Sequence, residues 1–170
     1  MGKVVSQQDL ILQCRERRKH GDKIIFAAGC FEFLHPGHIR LLEQARSHGE
    51  ILVVAVLSDS SVRELVGAGD EKEPARKKVK RPVTPAAERA EILAALAAVD
   101  YVTQADLADL PGLLAQLRPE TAVESAEPSS PALLARVAPA AGVVLVRIPL
   151  EPGHSTAAII ERIVQLSGSE

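Results

Sequence analysis

Aromatic residues are the scarcest class in this chain of 170 residues, which has three Phe, one Tyr and no Trp. The formal net charge is only −2. General nucleic-acid binders rely on a basic surface and on aromatic side chains that stack against bases. The composition therefore argues against nucleic acid as a partner.

Cysteine is also rare, because only Cys14 and Cys30 occur, and their spacing fits neither a disulfide scaffold nor a metal knuckle. We expect two reduced thiols. No apolar run approaches the length that spans a bilayer, and the charged N-terminus lacks the apolar core of a signal peptide. These absences predict a soluble, cytoplasmic protein with no membrane partner.

Two phosphate-binding signatures are missing as well. The chain has no Gly-Lys-Ser/Thr phosphate loop, and its Gly67-Ala68-Gly69 runs into charged residues instead of opening a helix. Both absences weigh against a kinase or a dehydrogenase.

Strand patterns and helical patterns alternate along the chain, which predicts an α/β fold. We expect a Rossmann-like three-layer αβα arrangement around a mostly parallel five-stranded sheet, in one domain over residues 1–170. An N-terminal helix is predicted at 6–20, and the Gly-, Pro- and charge-rich segment 67–84 is predicted to be a mobile basic loop. The predicted strands lie near 23–28, 51–57, 100–103, 121–124 and 143–148, and the further helices near 37–48, 59–66, 85–98, 108–117, 130–138 and 155–167.

The most informative segment is 27–40, with the sequence AAGCFEFLHPGHIR. A buried strand is predicted to end at Gly29, and a helix to begin at Pro36, since proline is tolerated at a first helical position. His35 and His38 then lie at the helix mouth, where free N–H groups and the helix dipole favour phosphate. Their spacing lets both rings point to one side and donate hydrogen bonds to charge developing on a phosphoryl oxygen.

Two plainer interpretations of the histidines stay open at this point. They are ordinary turn residues, or they are two ligands of a zinc site, although no third and fourth ligand stand at a recognisable spacing.

His-x-Gly-His after a strand, preceded by Gly-Cys-Phe, an acid and Leu, resembles the nucleotidyltransferase superfamily of cytidylyltransferases and adenylyltransferases. Within that superfamily the chain is most similar to the adenylyltransferases that make ADP-heptose from a heptose 1-phosphate. The similar segments keep the family's order and cover most of the length, at 3–6, 55–62, 81–89, 92–102 and 155–160.

The resemblance implies a set of site residues. His35 and His38 are the expected catalytic residues, and no protein side chain is expected to hold a metal by itself. The residues expected to bind the nucleotide or its phosphates are Gly29, Cys30, Phe31, Gly37, Asp59, Arg89, Ser155 and Thr156.

Some of these residues have equally ordinary explanations. Asp59 could contact ribose or cap a helix. Arg89 could contact a phosphate or form a surface salt bridge. Ser155 and Thr156 could simply form a helix N-cap. Basic runs are usually solvated, but in a loop beside an anion site such a run can close over phosphates. The candidates for that contact are Lys77, Lys78, Lys80 and Arg81.

The sequence departs from the family pattern at three places. The heptose enzymes usually carry Lys-Gly-Gly-Asp after the fourth strand, where this chain has Glu124-Ser125-Ala126-Glu127. The usual Thr-Asn before Gly29 is Ala27-Ala28, and the usual Asp after Phe31 is Glu32. A carboxylate near polyphosphate opposes the charge that a lysine neutralises, so these changes bear on the acceptor.

The leading hypothesis is a nucleotidyltransferase in which a phosphorylated acceptor, expected to be a sugar 1-phosphate, attacks the α-phosphorus of ATP or CTP. Mg²⁺ is expected to arrive with the nucleotide, and the family suggests a homodimer. A second hypothesis is a nucleotide-binding homologue that has lost the transfer reaction and serves a regulatory or partner-binding role. A third is the same chemistry on another acceptor, such as a cofactor precursor or an alcohol phosphate.

Overall fold

A parallel sheet of six strands organises the computed structural model, which describes residues 1–67, 80–126, 132–149 and 156–167. The strands are β1 (Lys3–Val4), β2 (Ile24–Gly29), β3 (Ile51–Leu57), β4 (Tyr101–Ala105), β5 (Thr121–Ser125) and β6 (Val144–Ile148). The helices are α1 (Gln7–Lys19), α2 (Pro36–Arg46), α3 (Asp59–Gly67), α4 (Ala86–Ala94), α5 (Leu110–Leu117) and α6 (Thr156–Ser167).

The strand order is β1-β4-β3-β2-β5-β6, and every neighbouring pair is parallel. The prediction of five strands was wrong by one, because β1 was missed. This strand has two exposed residues, Lys3 and Val4, which pair with Tyr101 and Val102 at the edge of the sheet. A strand so short has no hydrophobic periodicity that a sequence can show.

Both faces of the sheet are covered, as expected for a parallel sheet whose crossover helices lie on either side. In β3, the run ILVVAVL is buried along its whole length. Helices α1 and α5 pack on one face, through residues such as Leu10 and Leu114. Helices α2 and α4 pack on the other, through residues such as Leu42 and Leu93. The three-layer αβα prediction is therefore confirmed.

The helix predicted at 130–138 was wrong where the structure describes it. Residues 133–138 form turns, and a short 3-10 helix follows at Pro139–Ala141. One physical reason is that the N–H of Leu134 donates to the Glu124 side chain at 2.9 Å instead of to a preceding carbonyl. Pro139 also has no N–H to extend a helical ladder.

Within residues 1–67, 80–126, 132–149 and 156–167, no helix is both long enough and apolar enough to cross a membrane.

Candidate active site

The sheet changes its direction of growth between β2 and β5. From β2 the chain moves to β3 and β4 on one side, whereas β5 and β6 lie on the other. In open parallel sheets such a reversal leaves a crevice at the carboxyl ends of the two strands, where ligands bind. The segments at this crevice are the β2–α2 loop, residues 30–35, and the end of β5.

The paired histidines lie at the crevice end of α2. His35 is the extended residue before the helix (φ −139°, ψ 166°), and Pro36 occupies its first position. The N–H of His38 donates to the carbonyl of His35 at 2.9 Å, which places both side chains in the first turn. Their rings stack with centroids 3.8 Å apart and planes inclined by 21°. The helix therefore presents two imidazoles together at its N-terminal, anion-attracting end.

Burial sets the electrostatics of His38. Loss of solvent lowers its pKa from 6.5 to about 4; nearby His35 acts in the same direction, and the backbone of Phe33 opposes it. Its Nδ1 atom is buried and has no hydrogen-bond partner among the described residues. His38 is consequently neutral at pH 7, and a buried ring nitrogen without a partner is unusual enough to suggest a functional role.

Phe31 supports the other side of the His38 ring. The two rings meet edge to face with centroids 5.3 Å apart. Phe31 is only 5% exposed, and its φ of 46° lies in the left-handed region, which a bulky residue rarely adopts. A Cβ at Gly29 would come within 2.9 Å of the Phe31 ring, so glycine leaves the space that this ring fills.

Glu32 is a buried anchor between the loop and the segment before α4. Its Oε2 accepts from Nε of Arg81 at 2.7 Å and lies 2.6 Å from Nη2 of the same guanidinium. Its Oε1 accepts from the N–H of Val83 at 2.7 Å. The structure thus commits Arg81, a predicted loop contact to phosphate, to an ion pair. Lys80 is exposed, whereas Lys77 and Lys78 lie outside the described residues.

Arg89 is a second buried anchor, and 1% of it is exposed. Its Nε donates to the carbonyl of Thr84 at 2.9 Å, its Nη1 donates to the carbonyl of Cys30, and its Nη2 donates to Oδ1 of Asp59 at 2.8 Å. The same Asp59 oxygen accepts from the N–H of Ala86 at 2.9 Å. Asp59 therefore caps α4, a helix other than the one that it begins, and the phosphate and ribose contacts predicted for the pair stay predictions.

The remaining predicted residues occupy varied places. Gly37 is buried in the first turn of α2. Cys30 is partly buried, and burial raises the pKa of its thiol, an effect that the nearby Arg81 and Arg89 guanidinium groups oppose. Thr156 is the partly exposed first residue of α6, and Ser155 lies outside the described residues. Their contacts with a nucleotide stay predictions.

Glu124 stands where the resembling enzymes carry lysine. It lies at the end of β5 and is 4% exposed. Its Oε2 accepts from the N–H of Leu134 at 2.9 Å, and its Oε1 lies 3.2 Å from Nε of Arg147, directly opposite in β6. The carboxylate is therefore held through Oε2, whereas the buried Oε1 lies close to the half-exposed Arg147 without a hydrogen-bond partner among the described residues. Sequence reasoning missed this pair, because strand register is needed to see it.

Among the described residues, no group of three or more His, Cys, Asp or Glu side chains could hold a metal ion. Because a zinc site needs three or four protein ligands, the described residues add no support for the zinc interpretation of the two histidines.

Comparison with known proteins adds the family. The profile of the family described as cytidylyltransferase-like matches residues 26–162. Similar curated proteins include the bifunctional protein HldE of Acidiphilium cryptum, 40% identical over 95% of this chain and 31% of that protein. HldE of Pseudomonas aeruginosa is 36% identical over 95% of this chain and 32% of that protein. The chain thus spans about a third of the length of these relatives.

Solved structures share the fold at lower identity. The lipopolysaccharide core biosynthesis protein of Thermoplasma volcanium has a TM-score of 0.55 and 23% identity, covering 77% of this chain and 98% of its own. Pantoate-beta-alanine ligase of Francisella tularensis has a TM-score of 0.57 and 14% identity, covering 100% of this chain and 80% of its own. These likenesses support the fold alone.

Proposed function

The chain belongs to the cytidylyltransferase-like family, and from that premise we propose that it is a nucleotidyltransferase. It transfers a nucleoside monophosphate from ATP or CTP to a phosphorylated acceptor and releases pyrophosphate. A heptose 1-phosphate is the first choice of acceptor, because the sequence segments that accompany the histidine motif resemble the ADP-heptose-forming enzymes.

The stacked pair of His35 and His38 carries this proposal. The rings lie 3.8 Å apart at the N-terminal end of α2, beside the crevice between β2 and β5. A helix N-terminus favours the negative charge of a triphosphate. Neutral His38 offers one ring nitrogen as a hydrogen-bond donor to a phosphate oxygen.

The reaction needs no protein nucleophile. An oxygen of the acceptor phosphate attacks the α-phosphorus in line and forms a new P–O bond. The bond from the α-phosphorus to the bridging oxygen breaks, and its electron pair leaves with pyrophosphate. The protein contributes positioning and charge stabilisation, through the two histidines and the first turns of α2 and α6. The nucleotide is the magnesium complex, in which phosphate oxygens supply ligands to the ion.

The acceptor end of the crevice is where the chain departs from the resembling enzymes. The Leu134 N–H binds one oxygen of the Glu124 carboxylate, and Arg147 lies 3.2 Å from the other, so a cation accompanies this negative charge. That neighbour reduces the repulsion that the carboxylate exerts on phosphates and supports the proposal. The inactive nucleotide-binding homologue therefore becomes an outcome of the assay below.

The deciding experiment measures pyrophosphate release with Mg²⁺. ATP and CTP are tested separately against phosphorylated sugars that include heptose 1-phosphates, together with alcohol phosphates and cofactor precursors. Release that needs both a nucleotide and one acceptor supports the proposal and identifies the two substrates. Tight nucleotide binding by calorimetry without release on any acceptor contradicts it and favours the binding homologue.

The resemblance also leads us to propose a homodimer. Light scattering of the purified chain measures the mass in solution, and a monomeric mass at assay concentrations contradicts this part of the proposal.

A further inference from the structure

Phe31 occupies an unusual place between the strand and the catalytic helix. It is a bulky residue in the left-handed backbone region at φ 46°, and it is only 5% exposed. Such a conformation persists in a bulky residue only where the surroundings hold it. The Phe31 ring makes an edge-to-face contact with the His38 ring, with 5.3 Å between the centroids.

The residue before Phe31 is held from one side. The carbonyl of Cys30 accepts from Nη1 of Arg89, whose other nitrogens donate to Thr84 and Asp59. Because the planar guanidinium binds three separate acceptors, it fixes the direction of that carbonyl rigidly.

The residue after Phe31 is held from the other side. The Glu32 carboxylate accepts from Arg81 at 2.7 Å through one oxygen and from the Val83 N–H at 2.7 Å through the other. Glu32 is 4% exposed, so these charge-assisted hydrogen bonds form away from solvent, where they are strong. Both anchors belong to the segment 81–89, which resembles the family at the sequence level.

We propose that Phe31 is a positioning residue, held in its left-handed conformation by the Arg89–Cys30 and Glu32–Arg81 contacts so that its ring fixes His38 against His35. The contacts Arg89–Cys30, Glu32–Arg81 and Glu32–Val83 are called the Phe31 bracket below. This inference rests on the proposed function for its catalytic consequence, but the ring contact itself is independent of any activity.

The bracket involves two of the predicted phosphate contacts, Arg81 and Arg89. Arg81 donates to the Glu32 side chain after Phe31, and Arg89 donates to the Cys30 carbonyl before it. Gly29 belongs to the same device, because any side chain there would push against the Phe31 ring. The cost of a poorly held catalytic group is large, since a misplacement of about 1 Å can cost a hundredfold in rate.

The experiment compares Phe31→Leu with Phe26→Leu. Phe26 is a fully buried phenylalanine of β2 that packs on the opposite face of the sheet, so it controls for the loss of a buried ring. Carbon-13 or nitrogen-15 NMR follows the titration of His38, and steady-state kinetics separate kcat from KM.

We expect Phe31→Leu to raise the pKa of His38, because burial is the largest cause that lowers it and the smaller leucine leaves space beside the imidazole. We also expect kcat to fall roughly ten- to hundredfold with little change in KM. Phe26→Leu lowers the melting temperature but leaves the His38 titration and kcat as they are. An unchanged His38 titration in folded Phe31→Leu overturns the proposal, whether or not the wild type turns over.

Glu32→Gln tests the bracket with little change of shape. It retains an acceptor for the Val83 N–H but removes the charge that pairs with Arg81, so we expect the same two shifts as in Phe31→Leu, at smaller size. Arg89→Lys is the more disruptive variant. If it does not fold, Glu32→Gln still tests whether the bracket positions His38. If Glu32→Gln has the wild-type kcat and an unchanged His38 pKa, the proposed role of the bracket is wrong.

Discussion

The two ends of the strands, called here the amino edge and the carboxyl edge of the sheet, differ in how their polar groups are hydrogen-bonded. At the amino edge, carboxylates accept hydrogen bonds from N–H groups at the start of the strands. Glu120 accepts from Ile24 at 2.6 Å, and Asp100 accepts from Leu52 at 2.8 Å. At the carboxyl edge, the buried Nδ1 of His38 has no hydrogen-bond partner among the described residues.

Backbone geometry shows the same contrast. The loop at the carboxyl edge contains Phe31 in the left-handed region, between residues that contact the buried Arg89 and the partly buried Arg81. A polar group without a partner and a rarely populated backbone conformation both cost folding free energy. The amino edge therefore stabilises the fold, whereas the carboxyl edge contains destabilising features in an arrangement suited to chemistry.

The largest loss of folding free energy is expected at Glu124, the carboxylate at the carboxyl edge that the protein itself binds. Glu124→Lys restores the residue type of the resembling enzymes, but it places a second cation beside Arg147 and leaves the Leu134 N–H without its acceptor. Leaving a buried N–H without its acceptor costs about 1–3 kcal/mol, and burying an unpaired lysine cation adds to that loss. Urea unfolding measures the loss, with Glu124→Gln as the milder control. A stable, more active Glu124→Lys protein would contradict the structural role of this residue.

His38→Ala tests the chemical part of the carboxyl edge. Removing one stabilising donor from a preorganised site lowers turnover on the order of 10²- to 10³-fold. Stability is expected to change little, since the variant also removes a buried nitrogen that has no partner in the described chain. Pyrophosphate release and thermal unfolding are measured together. His48→Ala, an exposed histidine beyond the other end of α2, is the control, and near-normal turnover of His38→Ala would refute the catalytic role.

Asp100→Ala makes the opposite test at the amino edge. It removes the acceptor of the Leu52 N–H and the partner of Arg46, whose Nε lies 3.3 Å away. We expect a loss of about 1–3 kcal/mol in the free energy of unfolding and an unchanged kcat. Glu50→Ala is the matched control, because Glu50 accepts from the Lys23 N–H in a more exposed place and should cost less. A fall in kcat without a fall in stability would contradict the view that the amino edge stabilises the fold but takes no part in catalysis.

The smallest effect is a pH dependence of stability. His38 has a folded pKa of about 4 and an ordinary value of 6.5, so between these limits the unfolded chain binds a proton that the folded chain refuses. Its contribution is therefore absent above pH 6.5 and destabilises the fold increasingly as the pH falls toward 4, by about 1 kcal/mol at pH 5.5. Urea unfolding at several pH values should give a shallower slope for His38→Ala than for the wild type. Equal slopes would mean that His38 is not held neutral.

Local patterns predicted much of the fold. The five longer strands and helices α1 to α6 lie within a few residues of their predicted positions, because buried parallel strands and amphipathic helices have clear hydrophobic periods. Two elements escaped for opposite reasons. Strand β1 is too short to show a period, and the predicted helix at 130–138 lost a backbone donor to the distant Glu124 side chain.

The candidate site was predictable in part. Neighbouring residues are enough to predict the strand end at Gly29, the helix that begins at Pro36 and the two histidines at its start. The close placement of His35 and His38 could therefore be anticipated. The partners of Arg81 and Arg89 could not, since these arginines contact residues 49 and 59 positions earlier in the chain.

The sequence by itself determined the five longer strands, helices α1 to α6, the parallel sheet and the location of the histidines at a helix mouth, because each depends on the chemistry of neighbouring residues. Only the tertiary structure decided which charges face the crevice and which are consumed in holding it. Glu32 with Arg81, Asp59 with Arg89, and Glu124 with Arg147 meet across distant segments. A charged side chain acts on whatever lies within a few ångströms of it, and that neighbourhood exists only once the sheet has formed.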